Sequence, residues 1–557
     1  MMPDTPATAG ARPRSIEYAG IALLLAGVVV LLQIHASAYS AEFRNDEASH
    51  YVSGLMIHAY LTTGLGTGPL SPLAFLKNFH SHYPLVGIGH WGPVYYVVEA
   101  LWMLLFGCGR ISVLLLSAVV TSAIGLICYR IAAPRVGRMI AVLIAVALVA
   151  SPIAQEGSAD VMLDAPITLL TLLAALAYAR YMATFRARDA VQFALLAAAG
   201  LLIKGNAGAL AMLPPLAVLM TWRFDLLRRP SFWLPVPIVG GLVLPWYLVT
   251  YFVVSQGFRY TWGLNYVVHA IRGNSIALVA ALAPLVLAAG VYGWVVAVSS
   301  AHRPRADQVM TCIAALLAAV WIFQSIVPAD IQDRYLEPAL PPLFILAGVA
   351  VRDIADRVRR FLRAGPGRVQ TLAAPLLAIV LAASTVPSVF GLPPKSRLGF
   401  VEAAPLVWRQ VTPGNPVVLV VAPPIVEEAA VAELALHDPH CPSLFAVRGS
   451  RLLGGGGYNN EDYKPRFATP AQVMAAIDEY RIPLVLFRPD NGVGEWEHVR
   501  QVAEAMKLYP DRWDVIDRIE GHGQPVLVLR VRGNADKPAD LKNLARLTAP
   551  RSLGMFQ

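Results

Sequence analysis

The chain has 557 residues, 56% hydrophobic and only 15% charged, with a mean hydropathy of +0.55. A soluble domain carries roughly 25% charged residues, so a soluble enzyme is nearly excluded. Lysine and arginine outnumber aspartate and glutamate 45 to 36, a net charge of +9; much of the excess lies in short arginine clusters between apolar runs, a membrane-topology signal and not a nucleic-acid footprint.

The apolar runs come at short intervals and read as a polytopic helical membrane protein. Tyr18–Ile34 follows a polar start with Arg12 and Arg14. Ala36-Ser37-Ala38 after it resembles a signal-peptidase site, but the run is read as an uncleaved first span because more membrane follows. Further spans are expected over Pro93–Phe106, Ile111–Tyr129, Met139–Pro152, Leu163–Met182, Ala190–Ile203 and Gly205–Thr221. Phe232–Val254, Ser275–Val298, Val309–Val327, Leu336–Val351 and Leu372–Phe390 complete the set. At ~20 residues per crossing this predicts about 11–13 transmembrane helices.

The arginine clusters at 130–138, 186–188, 223–229, 303–305 and 352–368 orient these spans with their loops in the cytoplasm. The long segment 40–92, the loop 154–162, the Lys204-Gly205 junction, 255–274, 328–334 and everything after Phe390 then lie outside. Parity is open in one place: Pro93–Tyr129 must cross an odd number of times yet contains two apolar runs around Cys108-Gly109-Arg110, so one of them is expected to be interfacial or re-entrant. Cys108, Cys128, Cys312 and Cys441 show no CxxC spacing, and neither a disulfide framework nor a zinc knuckle is indicated.

Three parts are expected: a membrane module over 1–392 with its large first external loop at 40–92, an α/β domain over 393–533, and a loose tail over 534–557. In the α/β part, Val417–Ala422, Leu484–Phe487 and Val526–Val531 read as strands, and Pro470–Tyr480 and Glu495–Met506 as amphipathic helices. The glycine tract Gly454–Gly457 lacks the Lys-Ser/Thr of a phosphate loop and reads as a mobile surface loop.

A transporter concentrates ionisable groups near the bilayer midplane. Here they gather at the outer ends of spans: Asp46 and Glu47, His80, His82 and His90, Asp160 and Asp164, Lys204, His269, Arg272, Asp330, Asp333, Arg334 and Glu337. That pattern predicts a reaction chamber at one membrane face. Arg272 and Arg334-Tyr335 fall on external loops, against the positive-inside bias, which points to an anionic ligand gripped by guanidinium forks. Lys204 reads equally as a phosphate ligand or a snorkelling lysine. The loop histidines raise a metal, although isolated histidines are more often solvated or bonded to phosphate. Tyr95 and Tyr96 fit an interface belt as readily as a sugar platform.

The series Asn45-Asp46-Glu47-Ala48-Ser49-His50-Tyr51, His90-Trp91-Gly92-Pro93-Val94-Tyr95-Tyr96, Val161-Met162-Leu163-Asp164-Ala165-Pro166, Leu202-Ile203-Lys204-Gly205 and Asp333-Arg334-Tyr335-Leu336 resembles that of the GT-C membrane glycosyltransferases. The resemblance runs in order from about Tyr18 to Val351. It is nearest to the branch of protein O-mannosyltransferases, aminoarabinose transferases of lipid A and rhizobial galacturonosyltransferases.

The resemblance implies a GT-C fold and an inverting transfer of a sugar from a polyprenyl-phosphate donor to a lipid, glycan or protein acceptor. The site would lie on the periplasmic face of a bacterial inner membrane, with the C-terminal domain also periplasmic. By that likeness Asp46, with Glu47 beside it, is the catalytic carboxylate, and Asp164 is the acidic residue opening a later helix. Lys204 stands near the donor phosphate, with His90, Tyr95, Arg272, Arg334 and Tyr335 as further substrate-binding residues. His90 and His269 are the candidate ligands of a divalent metal, the one cofactor in view. The chain departs from the aminoarabinose transferases at His90-Trp91-Gly92-Pro93, where those enzymes place a Glu-Lys pair before the proline. The rival readings are a lipid-linked glycan polymerase or ligase, whose large external loop would come late among the helices, and a non-catalytic protein that binds lipid-linked sugars.

Overall fold

The computed structural model describes residues 14–548 apart from 66–70, 256–257, 259, 304–305, 362–367, 391, 441, 457–461, 491–495 and 535–536. The membrane module is all-helical. Its helices are α1 (Arg14–His35), α2 (Asp46–Ala59), α3 (Pro72–His82), α4 (Val94–Phe106), α5 (Arg110–Val136), α6 (Arg138–Val149), α7 (Pro152–Ala159), α8 (Asp164–Thr184), α9 (Ala187–Leu201) and α10 (Leu213–Thr221). They continue as α11 (Pro230–Trp233), α12 (Pro235–Ser255), α13 (Leu264–Ala281), α14 (Pro284–Ala301), α15 (Gln308–Ile326), α16 (Leu340–Phe361), α17 (Arg368–Ala383) and α18 (Val386–Val389). Among the described residues, seven helices are long and apolar enough to span a bilayer. α6 and α7, bent by 58° at their junction, pass the same test only as a pair and bring the count to eight if they form one span; Val94–Phe106, Gly205–Thr221 and Ala374–Val389 are shorter apolar helices.

The bundle has two chemically distinct ends. At one, the expected arginine clusters meet: Arg135 pairs with Asp307 at 2.6 Å, Arg138 with Glu17 at 2.9 Å, and Arg223 and Arg229 stack on Phe185. At the other lie α2, α3, the head of α8, Lys204 and the turn Asp333–Ala339. Close backbone approaches hold the bundle together. A Cβ on Gly293 of α14 would collide with the Leu346 carbonyl of α16, and one on Gly92 with the Leu202 carbonyl.

α4 resolves the parity problem. It starts with Val94 N–H donating to Leu202 O at 3.2 Å and ends at Phe106, two residues before Cys108, whose carbonyl accepts from the Tyr51 hydroxyl of α2 at 3.0 Å. Arg110 then pairs with Glu433 of the α/β unit. Both ends of α4 therefore lie at the site end, and its 13 residues at 1.5 Å rise span about 20 Å, short of the ~30 Å hydrocarbon core. α5 makes the crossing. α13 behaves like α4: Tyr266 bonds to Val327 O near its start, and beyond its middle Asn274 still donates to Gln324 O at 3.3 Å, both at the site end of α15.

The α/β unit is built on a five-stranded sheet of order β2-β1-β5-β7-β6, with β1 Val417–Val421, β2 Phe445–Arg448, β5 Leu484–Phe487, β6 Trp513–Ile519 and β7 Val526–Val531. A two-stranded ladder joins β3 (Gly454–Gly455) to β4 (Lys464–Pro465). β1 pairs in parallel with β2 and β5, with Leu419 opposite Val447 and Val485, and its run of valines is buried throughout, as a central strand covered on both faces requires. The helices are α19 (Phe400–Gln410), α20 (Pro424–Leu436), α21 (Gly449–Leu452), α22 (Pro470–Glu479), α23 (Glu497–Leu508) and α24 (Leu541–Thr548).

Two expectations change here. The first residues of the glycine tract belong to the β3–β4 ladder, and Gly457 lies outside the described residues. The expected loose tail contains α24, whose Leu544 is buried in the domain core. Residues 549–557 lie outside the described residues.

A strap over 392–399 joins the two units. The buried Glu42 carboxylate accepts from the backbone N–H groups of Leu398, Gly399, Phe400 and Val401 at 2.8–3.4 Å, satisfying the N-terminal donors of α19 from the other unit. Glu42→Ala is expected to lower unfolding stability by about 2–3 kcal/mol, the scale of a hydrogen bond to a charged group. It should also open 392–400 to limited proteolysis in detergent; an unchanged cleavage pattern would contradict this docking role.

Candidate active site

α2 starts at Asp46, and the residue before it, Asn45, sits at φ 50°, ψ −133°. A non-glycine residue held there is strained and persists only where its surroundings fix it. Asp46 Oδ2 accepts from Arg334 Nη2 at 2.6 Å. Arg334 is aimed by Gln332 Oε1 at 2.6 Å and touches Met162 Sδ at 3.7 Å. Burial alone would raise the Asp46 pKa, but Arg334, assisted by Lys204, holds the carboxyl below its ordinary value, so it is ionised at neutral pH.

The second pair is Lys204 Nζ with Asp164 Oδ1 at 2.7 Å. Lys204 lies in extended backbone where α9 ends and the turn Gly205–Ala211 begins, and Asp164 opens α8 with a fully buried side chain. Tyr335 joins the two pairs, its ring facing Lys204 Nζ at 4.4 Å and the Arg334 guanidinium at 5.5 Å. Burial lowers the Lys204 pKa against the pull of Asp164. Asp46, Asp164, Lys204, Arg334 and Tyr335, singled out from the sequence, thus form one cluster.

Glu47 points elsewhere, as adjacent helix positions must. Its oxygens accept from Val161 N–H at 3.2 Å, Arg44 N–H at 3.3 Å and Lys395 Nζ at 3.1 Å. Burial, with Asp160 nearby, pushes its pKa up to about 7 against the opposing charge of Lys395. It supports Asp46 and does not share its position. Lys395 was not singled out from the sequence, where it is one lysine after two prolines.

His50, four residues after Asp46 and hence on the same face of α2, was also passed over as a site residue; helical spacing was the available signal. Its Nδ1 is 2.9 Å from the Tyr96 hydroxyl and its ring 4.5 Å from Trp91. His90 also packs edge-on against Trp91, at 4.6 Å, and interacts electrostatically with Asp46 and Lys204. Tyr95 is buried in the core with its hydroxyl toward Ser117, so Tyr96 is the tyrosine of this motif that touches the cluster's flank.

The α/β unit covers the same region. Glu428, in the second turn of α20, is close enough to Asp46 to interact electrostatically and pairs with Arg448 at 3.2 Å. His80 faces Arg448, while His82 bonds to Asn78 O at 2.8 Å and packs on Phe445; the two histidines do not converge as an ion clamp. His269 and Arg272 are exposed on α13. His269 lies against Tyr260, and neither residue bonds to Asp46, Lys204 or Arg334 among the described residues. No three His, Cys, Asp or Glu side chains among the described residues are grouped to hold a metal. His90, against Trp91, and His269, exposed against Tyr260, do not fit the expected ligand pair.

Residues 90–249 match the model of the dolichyl-phosphate-mannose-protein mannosyltransferase family. No curated protein matches the sequence. Among solved structures, ArnT from Cupriavidus metallidurans bound to undecaprenyl phosphate aligns over 94% of this chain and 98% of its own, with 16% identity and a TM-score of 0.56. The archaeal oligosaccharyltransferase AglB from Archaeoglobus fulgidus, in complex with an inhibitory peptide and a dolichol-phosphate, aligns over 95% and 75% at 12% identity, TM-score 0.52. The chain has the GT-C fold. The A. fulgidus oligosaccharyltransferase with zinc and sulfate covers 84% of this chain and 67% of its own at 12% identity, TM-score 0.52.

Burial pulls the His50 pKa down to about 3, so the folded state keeps it neutral while the unfolded chain protonates it near 6.5. This contribution to stability is present above pH 6.5 and is lost as pH falls toward 3. His50→Gln should therefore show a shallower fall in thermal midpoint than the parent between pH 7 and 4; parallel curves would contradict a neutral buried His50.

Proposed function

We propose that the protein is an inverting glycosyltransferase that moves a sugar from a polyprenyl-phosphate donor to an acceptor hydroxyl. The reading places the site on the periplasmic face of a bacterial inner membrane. The observation that carries it is the cluster itself: two carboxylate–cation pairs, Asp46 with Arg334 and Asp164 with Lys204, bridged by Tyr335 at one end of a lipid-embedded bundle. The solved relatives that hold undecaprenyl phosphate and dolichol-phosphate support a donor of that class, and the family match over 90–249 covers the segment with His90 and Lys204.

In this reaction the acceptor oxygen bonds to the anomeric carbon as the bond to the donor phosphate breaks on the opposite face. Positive charge grows on the sugar and negative charge on the leaving phosphate, which needs no proton to depart. Lys204 and Arg334 stabilise that phosphate, and being already in place they need little reorganisation as charge develops. Arrival of a phosphate also restores favour to the charged form of Lys204. Asp46 takes the acceptor proton. Its lowered pKa makes it a weak base, which suffices because the acceptor oxygen becomes acidic once it has begun to bond to carbon. His50, Trp91 and Tyr96 line the flank of Asp46, and Glu428 and Arg448 of the α/β unit close over it, so the acceptor enters between the two units.

Asp46→Asn should reduce transfer from labelled polyprenyl-phosphate sugars about 100- to 10,000-fold, the range of a general base, with the unfolding midpoint retained. Turnover near that of the parent protein removes Asp46 from the mechanism. Lys204→Ala should raise the KM for the lipid donor more than it changes acceptor dependence; an unaltered donor KM contradicts the phosphate role.

A further inference from the structure

The proposed reaction requires the proton acceptor on α2 and the phosphate subsite at the head of α8 to be held at a fixed separation, and these elements lie more than a hundred residues apart in the chain. One side chain outside both touches the base of each. Lys395, in the strap, donates to Glu47, the neighbour of Asp46, at 3.1 Å. It also pairs with Asp160, which ends α7 four residues before Asp164, and donates to Ala159 O at 3.0 Å. An ammonium has three donors, and this one lies among two carboxylates and a carbonyl. The Lys395 backbone N–H donates to Ala36 O at 2.9 Å, so the strap is anchored to the end of α1 as well. Glu47 completes the tie by accepting from Val161 N–H in the loop leading to Asp164.

We propose that Lys395 is a positioning residue that, through Glu47 and Asp160, sets the spacing between the Asp46 carboxylate and the Asp164–Lys204 phosphate subsite. Without the ammonium, two carboxylates face each other unneutralised in a mostly buried place, and like charges there push the elements apart or force one to take a proton. A displacement of about 1 Å in a reacting group lowers turnover about a hundredfold while leaving binding contacts intact. The inference rests on the transferase reading, and it also couples the α/β unit to catalysis, because the strap is the chain that connects that unit to the bundle.

The test compares the parent protein, Lys395→Met and Lys395→Arg in nanodiscs. Lys395→Met is expected to lower kcat at least tenfold, with undecaprenyl-phosphate affinity and donor KM within about threefold of the parent, while Lys395→Arg, which keeps the charge, recovers most of kcat. Turnover of Lys395→Met within twofold of the parent overturns the proposal. So does a loss of turnover that tracks a fallen unfolding midpoint and lost lipid binding, because the lysine would then only hold the fold. If the parent transfers no sugar from any polyprenyl-phosphate donor, the transferase reading fails, and hydrogen exchange then decides the positioning role alone. Faster exchange confined to the Val161 and 46–50 amides in Lys395→Met supports it; unchanged exchange there overturns it.

Discussion

Charge placed beside hydrocarbon must be paired, and that constraint organises the site end of this protein. Desolvating an isolated ion is prohibitive, while a hydrogen-bonded pair is tolerated. Three pairings meet the requirement: Asp46 with Arg334, Asp164 with Lys204, and Glu47 with Asp160 through Lys395. Each links elements distant in the chain. A substrate phosphate entering between Lys204 and Arg334 would therefore act on an arrangement in which every cation already has an anionic partner, and its arrival would redistribute charge without requiring the helices to be rebuilt.

Most of the architecture was legible in the sequence because a bilayer makes apolar run length a direct measure of helix length. The strands Leu484–Phe487 and Val526–Val531 appear where valine and leucine runs placed them. The cluster of Asp46, Asp164, Lys204, Arg334 and Tyr335 was legible too, because its residues fall at span ends where polar groups otherwise need a reason to be. What sequence could not show depends on long-range contact. Lys395 has no local pattern, and its importance comes from two carboxylates more than two hundred residues away. Glu47 shares a motif with Asp46, but a helical turn of about 100° per residue directs it elsewhere. Arg272 and His269 were drawn in by their external position, yet α13 turns them outward.

The α/β unit is part of the site's construction. Its first helix begins on a carboxylate of the bundle, its α20 brings Glu428 toward Asp46, and its residue Glu433 pairs with Arg110 at the start of α5. The carboxyl ends of β1 and β2, a common place for function in open α/β sheets, lead directly to α20 and to Arg448, which face the chamber.

α4 and α13 each enter the apolar region at one end of the bundle without traversing it, and both present large exposed apolar side chains, Leu105 and Phe106 on one and Leu264 and Val268 on the other. Apolar surface covered by lipid is favourable by roughly 25 cal/mol per Å², so these two helices moor the site end of the bundle at the depth of the hydrocarbon boundary.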